Sequence, residues 1–158
     1  MDNSELIKNF YTAFQNKNWK QMQECYHEEV HFSDPVFPDL HGKKARAMWH
    51  MLTSASTDLT LTFSDIKTNS ENGTCHWEAI YSFSKTGRKV HNKIDAHFTF
   101  KDGLILAHKD HFDLWKWSRM ALGPTGTLLG WTPFIKGKIR LMAAKNLGTF
   151  ISKNPIYS

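Results

Sequence analysis

Asp110 is the residue around which chemistry could be built. It lies in the stretch 102–114, DGLILAHKDHFDL, which opens on an Asp-Gly turn dipeptide and then alternates as a strand does. Leu104, Leu106, His108, Asp110, Phe112 and Leu114 share one expected face; Ile105, Ala107, Lys109, His111 and Asp113 share the other. A carboxylate set among leucines and a phenylalanine is either held by donors, as a structural acid, or pushed to a raised pKa, as a general base. His108, on the same face, is either a proton shuttle beside it or a satisfied core histidine.

Four more groups could join it. Tyr11 falls in a helical pattern and is either a core tyrosine or a pocket donor. Asp34 stands before Pro35, where it either forms a turn or offers a pocket acid. His76 and Glu78 share the polar face of an alternating run, which is either solvated or turned into the hollow. Metal binding is not suggested: His108 and His111 point to opposite faces, and no other spacing of His, Cys and carboxylates fits a site. Dinucleotide and phosphate-loop motifs are absent, and no cofactor is expected.

The elements that must position these groups follow from periodicity. Leu6, Phe10 and Phe14 recur at helical spacing over 4–16, with Asn3 or Ser4 as the expected cap. Trp19, Met22, Cys25 and Tyr26 mark a second short helix. A strand through Val30 and Phe32 ends at Asp34-Pro35, because the residue before proline prefers extended geometry. Ala45, Met48, Trp49 and Leu52 give a third helix. Four strands follow, with a bulge expected near Ser64-Asp65. In 74–84 Cys75, Trp77, Ala79, Tyr81 and Phe83 share a face; in 88–101 Val90, Ile94, Ala96, Phe98 and Phe100 do. Helices followed by consecutive hairpins predict an α+β fold. After residue 117 the chain is broken by Gly123-Pro124 and by 130–133, and a helix is expected from 134 to about 150. The division is therefore a domain at 1–117 and a basic helical extension at 118–158, packed on the domain or on a partner subunit.

Composition narrows the class. A chain of 158 residues can bury one core, and 11 Phe and 6 Trp predict an aromatic interior. The net charge of +5 is concentrated: from residue 127 onward there are five bases and no acid, while the first 126 residues balance. A neutral domain argues against nucleic-acid binding. No run reaches membrane-spanning length, the N-terminal MDNSELIKNF has no apolar signal core, and Cys25 and Cys75 stand alone. These features predict a cytoplasmic protein with reduced thiols and no stable membrane insertion.

The order helix, helix, short strand ending in Asp-Pro, helix, then long strands resembles the nuclear transport factor 2-like superfamily over residues 4–117. That group includes ketosteroid isomerases, SnoaL-like polyketide cyclases and limonene-epoxide hydrolases. The resemblance implies a cone: a curved antiparallel sheet with N-terminal helices on its concave side, a hydrophobic pocket and a homodimer. It implies a small apolar substrate, with Phe14, Phe32, Trp49, His108 and Phe112 lining the pocket. Tyr11 in YTAFQN and Asp34 in DPV are similar to the oxyanion tyrosine and base of the isomerases, but Ala96 stands where their second acid belongs. DGLILAHKDHFDL resembles the last-strand segment of the epoxide hydrolases, with Asp110 at the water-activating base and His76-Trp-Glu78 in place of Arg-x-Asp, which implies Glu78 as the acid paired with Asp110 and His76 as the orienting group between them. The expected activity is acid–base chemistry, hydrolase- or isomerase-like. The alternative is a non-catalytic module that binds a ligand or another protein.

Overall fold

The computed structural model describes residues 2–55 and 57–158. Helix α1, Asn3–Gln15, is capped one residue earlier than expected, by Asp2, whose carboxylate accepts from the Glu5 amide at 2.8 Å and so closes the first turn. Its apolar stripe buries Leu6, Ile7, Phe10, Tyr11 and Phe14. Asn18 caps α2, Trp19–Glu24. Tyr26, expected in that helix, instead opens strand β1, Tyr26–Ser33, where it pairs with Ile105. A two-residue strand β2, Leu40–His41, precedes helix α3, Lys43–Ala55.

Four long strands follow: β3 Thr60–Thr68, β4 Asn72–Ser82, β5 Lys89–Lys101 and β6 Leu104–His111. They form an antiparallel meander, and the six-stranded order is β2-β1-β6-β5-β4-β3. The one parallel seam joins β1 to β6. The expected irregularity in β3 is present: the ladder slips between Ser64 and Lys67, with Asp65 at φ 56°. A second slip, between Thr99 and Phe100, corrects the expected phase of β6. Ile105 is buried and Leu104 is not fully so, whereas His108 and Asp110 keep the inward face.

Trp77, Ala79, Ile94, Ala96 and Phe98 all turn inward against α1 and α3, and the polar alternates turn outward. The aromatic strand faces are therefore spent on the core. Helix α4, Leu114–Leu122, runs straight through the expected boundary at 117/118, with Trp117 and Ser118 both buried. Helix α5, Pro124–Leu129, folds back on it. A Cβ on Gly126 or Gly130 would collide with Ser118, so this close approach requires glycine. Helix α6, Pro133–Lys153, and the short turn Pro155–Tyr157 return to the domain. Leu147 enters the main core, and the Tyr157 hydroxyl accepts from the Gln23 amide at 2.8 Å. The extension thus packs on its own domain. No helix of the described residues is long and apolar enough to cross a membrane.

Candidate functional site

Asp110 is almost wholly buried, opposite Ala96 on the inner face of the sheet. Two donors converge on its Oδ1: the Trp77 indole at 3.3 Å and Nε2 of His108 at 2.9 Å. The other ring nitrogen of His108, Nδ1, lies 2.7 Å from the Tyr26 hydroxyl, which accepts from the Trp49 indole at 2.8 Å. Each indole can only donate. A run of hydrogen bonds thus links Trp49, Tyr26, His108 and Asp110 through the core. Phe10, Phe32, Trp49 and Phe98 enclose the imidazole.

Tyr11 reaches the same interior from α1. Its hydroxyl is buried and has no hydrogen-bond partner. Burial, and next the Asp110 charge, push its pKa well above that of a free tyrosine. Asp34 is placed in the turn that follows β1. Its Oδ1 accepts from the Val36 and Phe37 amides at 2.7 and 2.5 Å, forming the turn before β2. Burial then lifts its pKa to about 7, against the pull of the Phe37 amide and with help from the Asp110 charge. Burial, and to a lesser degree the Asp34 charge, raise the Tyr81 pKa, and its hydroxyl accepts from the Trp117 indole at 2.7 Å. Tyr81, Val36 and Phe112 pack against both the main core and the smaller cluster beneath α4.

His76 and Glu78 do not share this hollow. Trp77 is the inward residue of that triplet, so strand alternation sends its two neighbours outward. There His76 bonds Asp95 at 2.9 Å and Glu78 at 2.8 Å, and His91 reaches Glu78 at 2.7 Å. These partners, Asp95 first and then Glu78, raise the His76 pKa; His76 and next His91 lower that of Glu78. The pairing of Glu78 as acid with Asp110 as base is overturned by this geometry. Of the expected lining, Phe14, Phe32, Trp49 and His108 are buried core residues, and Phe112 is half-buried.

Sequence reasoning missed Tyr26 and Trp77 as partners of the buried histidine and acid. It also missed a cluster at the sheet edge, where His31 and His41 face each other across the β1–β2 ladder. Both contact Asp39, at 2.7 and 2.8 Å, and the three ligand atoms lie close enough to share a cation. The two rings are stacked 4.4 Å apart, so their nitrogens would have to swing to converge on one ion. Cys25 and Cys75 are free and buried, their thiols pushed up to about 11 and about 12. Two hollows, of about 810 and 520 Å³, lie away from Asp110, one between the start of β5 and α4 and the other at the α4–α5 corner.

The family model for the SnoaL-like domain matches residues 7–108. No curated protein matches the sequence. Among solved structures, the chain is similar to an NTF2-like protein of unknown function from Burkholderia pseudomallei K96243, with a TM-score of 0.65 at 16% identity over 76% of this chain and 98% of that one. A protein proposed to be a SnoaL-like polyketide cyclase, from Jannaschia sp. CCS1, gives 0.67 at 13% identity over 76% and 91%. An LEH-like epoxide hydrolase from M. tuberculosis gives 0.62 at 13% identity over 81% and 95%.

Proposed function

Because the chain belongs to the SnoaL-like domain family, we propose that it is a cofactor-independent acid–base enzyme. Its substrate would be a small, mostly apolar carbonyl compound, taken into the interior of the cone. Asp110 is the base, Asp34 carries the proton between positions, and Tyr11 is the donor to the carbonyl oxygen. The observation that carries this reading is the Tyr11 hydroxyl, buried and unpartnered within the field of a buried carboxylate. An orphaned buried O–H costs about 1–3 kcal/mol, and a substrate oxygen would satisfy it.

The chemistry follows from these groups. A carboxylate removes the proton from the carbon beside the carbonyl, and the electron pair moves onto the oxygen. The enolate oxygen takes a hydrogen bond from Tyr11, and the proton returns to the same carbon or, where a β,γ double bond extends the enolate, to the γ carbon. Asp34, near pKa 7, can hold or release that proton at neutral pH. Asp110, opposite Ala96, brings a second carboxylate to the inner face at the rung where the isomerase pattern lacks its acid. This supports the isomerase-like branch over epoxide hydrolysis, whose second acid would be the outward-facing Glu78. Substrate entry would pass between Val36, Tyr81 and Phe112, where the main core meets the cluster beneath α4.

Deuterium uptake from heavy water into a panel of apolar ketones, followed by mass spectrometry, tests the reading. Uptake with the native chain, lost in Tyr11→Phe and in Asp110→Asn, is the expected result; equal uptake by all three would overturn it. The second reading is a module that binds an apolar ligand or a partner protein without turnover. It is favoured by the completeness of the Trp49–Tyr26–His108–Asp110 chain, since a fully satisfied network also rigidifies a core. Ligand retention without exchange in any ketone would select it.

A further inference from the structure

We propose that the corner formed by α5 and the start of α6 is a docking surface for a membrane rich in anionic phospholipid. Four large apolar side chains stand in water there within seven residues: Leu128 at 70% exposed, Leu129 at 47%, Trp131 at 59% and Phe134 at 68%. All four fall between the end of α5 and the first turn of α6. The Trp131 indole turns back to the Leu128 carbonyl at 3.0 Å, and the Lys138 ammonium sits 5.0 Å from the centre of the Phe134 ring. A patch of this kind on a soluble domain marks a contact made elsewhere.

Charge selects the occupant. From residue 114 to the C-terminus the chain carries seven bases and no acid. Leu128 also lines the smaller hollow, of about 520 Å³, together with Arg88 and Arg119. The same two arginines continue into the larger one, of about 810 Å³, which adds Lys89, Lys93 and Lys116. Asp113, the acid of that hollow, is turned to the Trp115 and Lys116 amides as the cap of α4. Arg119 stacks over Trp115 at 4.5 Å, and its Nε is buried without a partner. An apolar ridge that can sit at the acyl boundary, flanked by a cationic hollow sized for a headgroup, is what an anionic bilayer surface satisfies. The ridge lies at a corner and does not run along α6, whose apolar residues are spread around the helix: Ile135 and Leu147 are buried while Leu141 is exposed.

The test is flotation of the full chain with vesicles of phosphatidylcholine alone and with about one-third phosphatidylglycerol added. The proposal expects flotation with the anionic vesicles, none with the neutral ones, and release at high salt. Leu128→Ser with Phe134→Ser should weaken partitioning about tenfold or more, the side chains being exposed and the fold intact by circular dichroism. Lys116→Gln and Lys138→Gln should each cost about fivefold. Absence of flotation at low salt would overturn the proposal, as would apolar variants that bind like the native chain. So would light scattering that shows a dimer broken by Leu128→Ser and Phe134→Ser with no vesicle dependence, since the occupant would then be a second copy.

Discussion

His108 and Tyr26, 82 positions apart in sequence, are joined by a 2.7 Å contact between Nδ1 and the phenolic oxygen. The contact closes a run of hydrogen bonds that begins at the Trp49 indole, which donates to the same phenolic oxygen. Removing that hydroxyl leaves a buried indole N–H and a buried ring nitrogen without partners. Tyr26→Phe should therefore destabilise the fold by about 2–4 kcal/mol, read from urea denaturation. A loss below about 0.5 kcal/mol would show that the chain of bonds is not cooperative.

Tyr11→Phe should behave in the opposite way. The lost hydroxyl has no partner, so stability should hold or rise by about 1 kcal/mol while ketone exchange falls about a hundredfold or more. A variant that loses both stability and exchange would place Tyr11 in the structural network instead.

Asp110→Asn keeps an acceptor at Oδ1 for Trp77 and His108, whereas Asp110→Ala leaves both donors orphaned. The first should fold within about 1 kcal/mol of the native chain and the second should lose about 3 kcal/mol. Exchange should fall at least a hundredfold in both. Full exchange in Asp110→Asn would remove this carboxylate from the chemistry.

Asp34 gives a pH signature. Its folded pKa of about 7 stands above the ordinary carboxylate range, so the protein gives up stability as pH rises from about 4 through 7. Asp34→Asn preserves the turn and carries no charge. Its stability should be flatter over that window and should exceed the native value above pH 7, by at most about 4 kcal/mol. Parallel pH–stability curves for the two proteins would contradict the burial of this acid.

Glu78→Gln and His76→Ala sit on the outer face and should leave ketone exchange within about twofold of native. Native stability should fall somewhat as pH rises through the elevated His76 pKa, since its protonated form is the one its carboxylate partners favour. In His76→Ala that dependence should disappear.

The strand faces were legible because alternation in β4 and β5 is unbroken, and Trp77, Ile94, Ala96 and Phe98 fall inside as their spacing predicts. Alternation cannot say which side of a sheet the helices cover, and for that reason Glu78 could be paired on paper with an acid behind it. The inward place of Asp110 survived a one-residue slip lower in β6, because the irregularity falls before His108. Tyr26 was misplaced because its apolar neighbours Met22 and Cys25 continue a helical spacing. What moves it into the sheet is the parallel seam with residues 105–109, a long-range pairing with no local signature. His31, Asp39 and His41 come together for the same kind of reason, through the β1–β2 ladder.

That parallel seam also orders the chain in time. During synthesis β1 is made early, yet its long neighbour β6 emerges some seventy residues later, so until then β1 has only the two-residue β2 beside it. The meander of β3, β4 and β5 can zip from short loops, whereas placing β1 in the sheet must wait for the last strand and bear the entropy of a long closure. The buried acid and histidine ride on that last strand, so the surroundings of Asp110 are complete only once that closure is made.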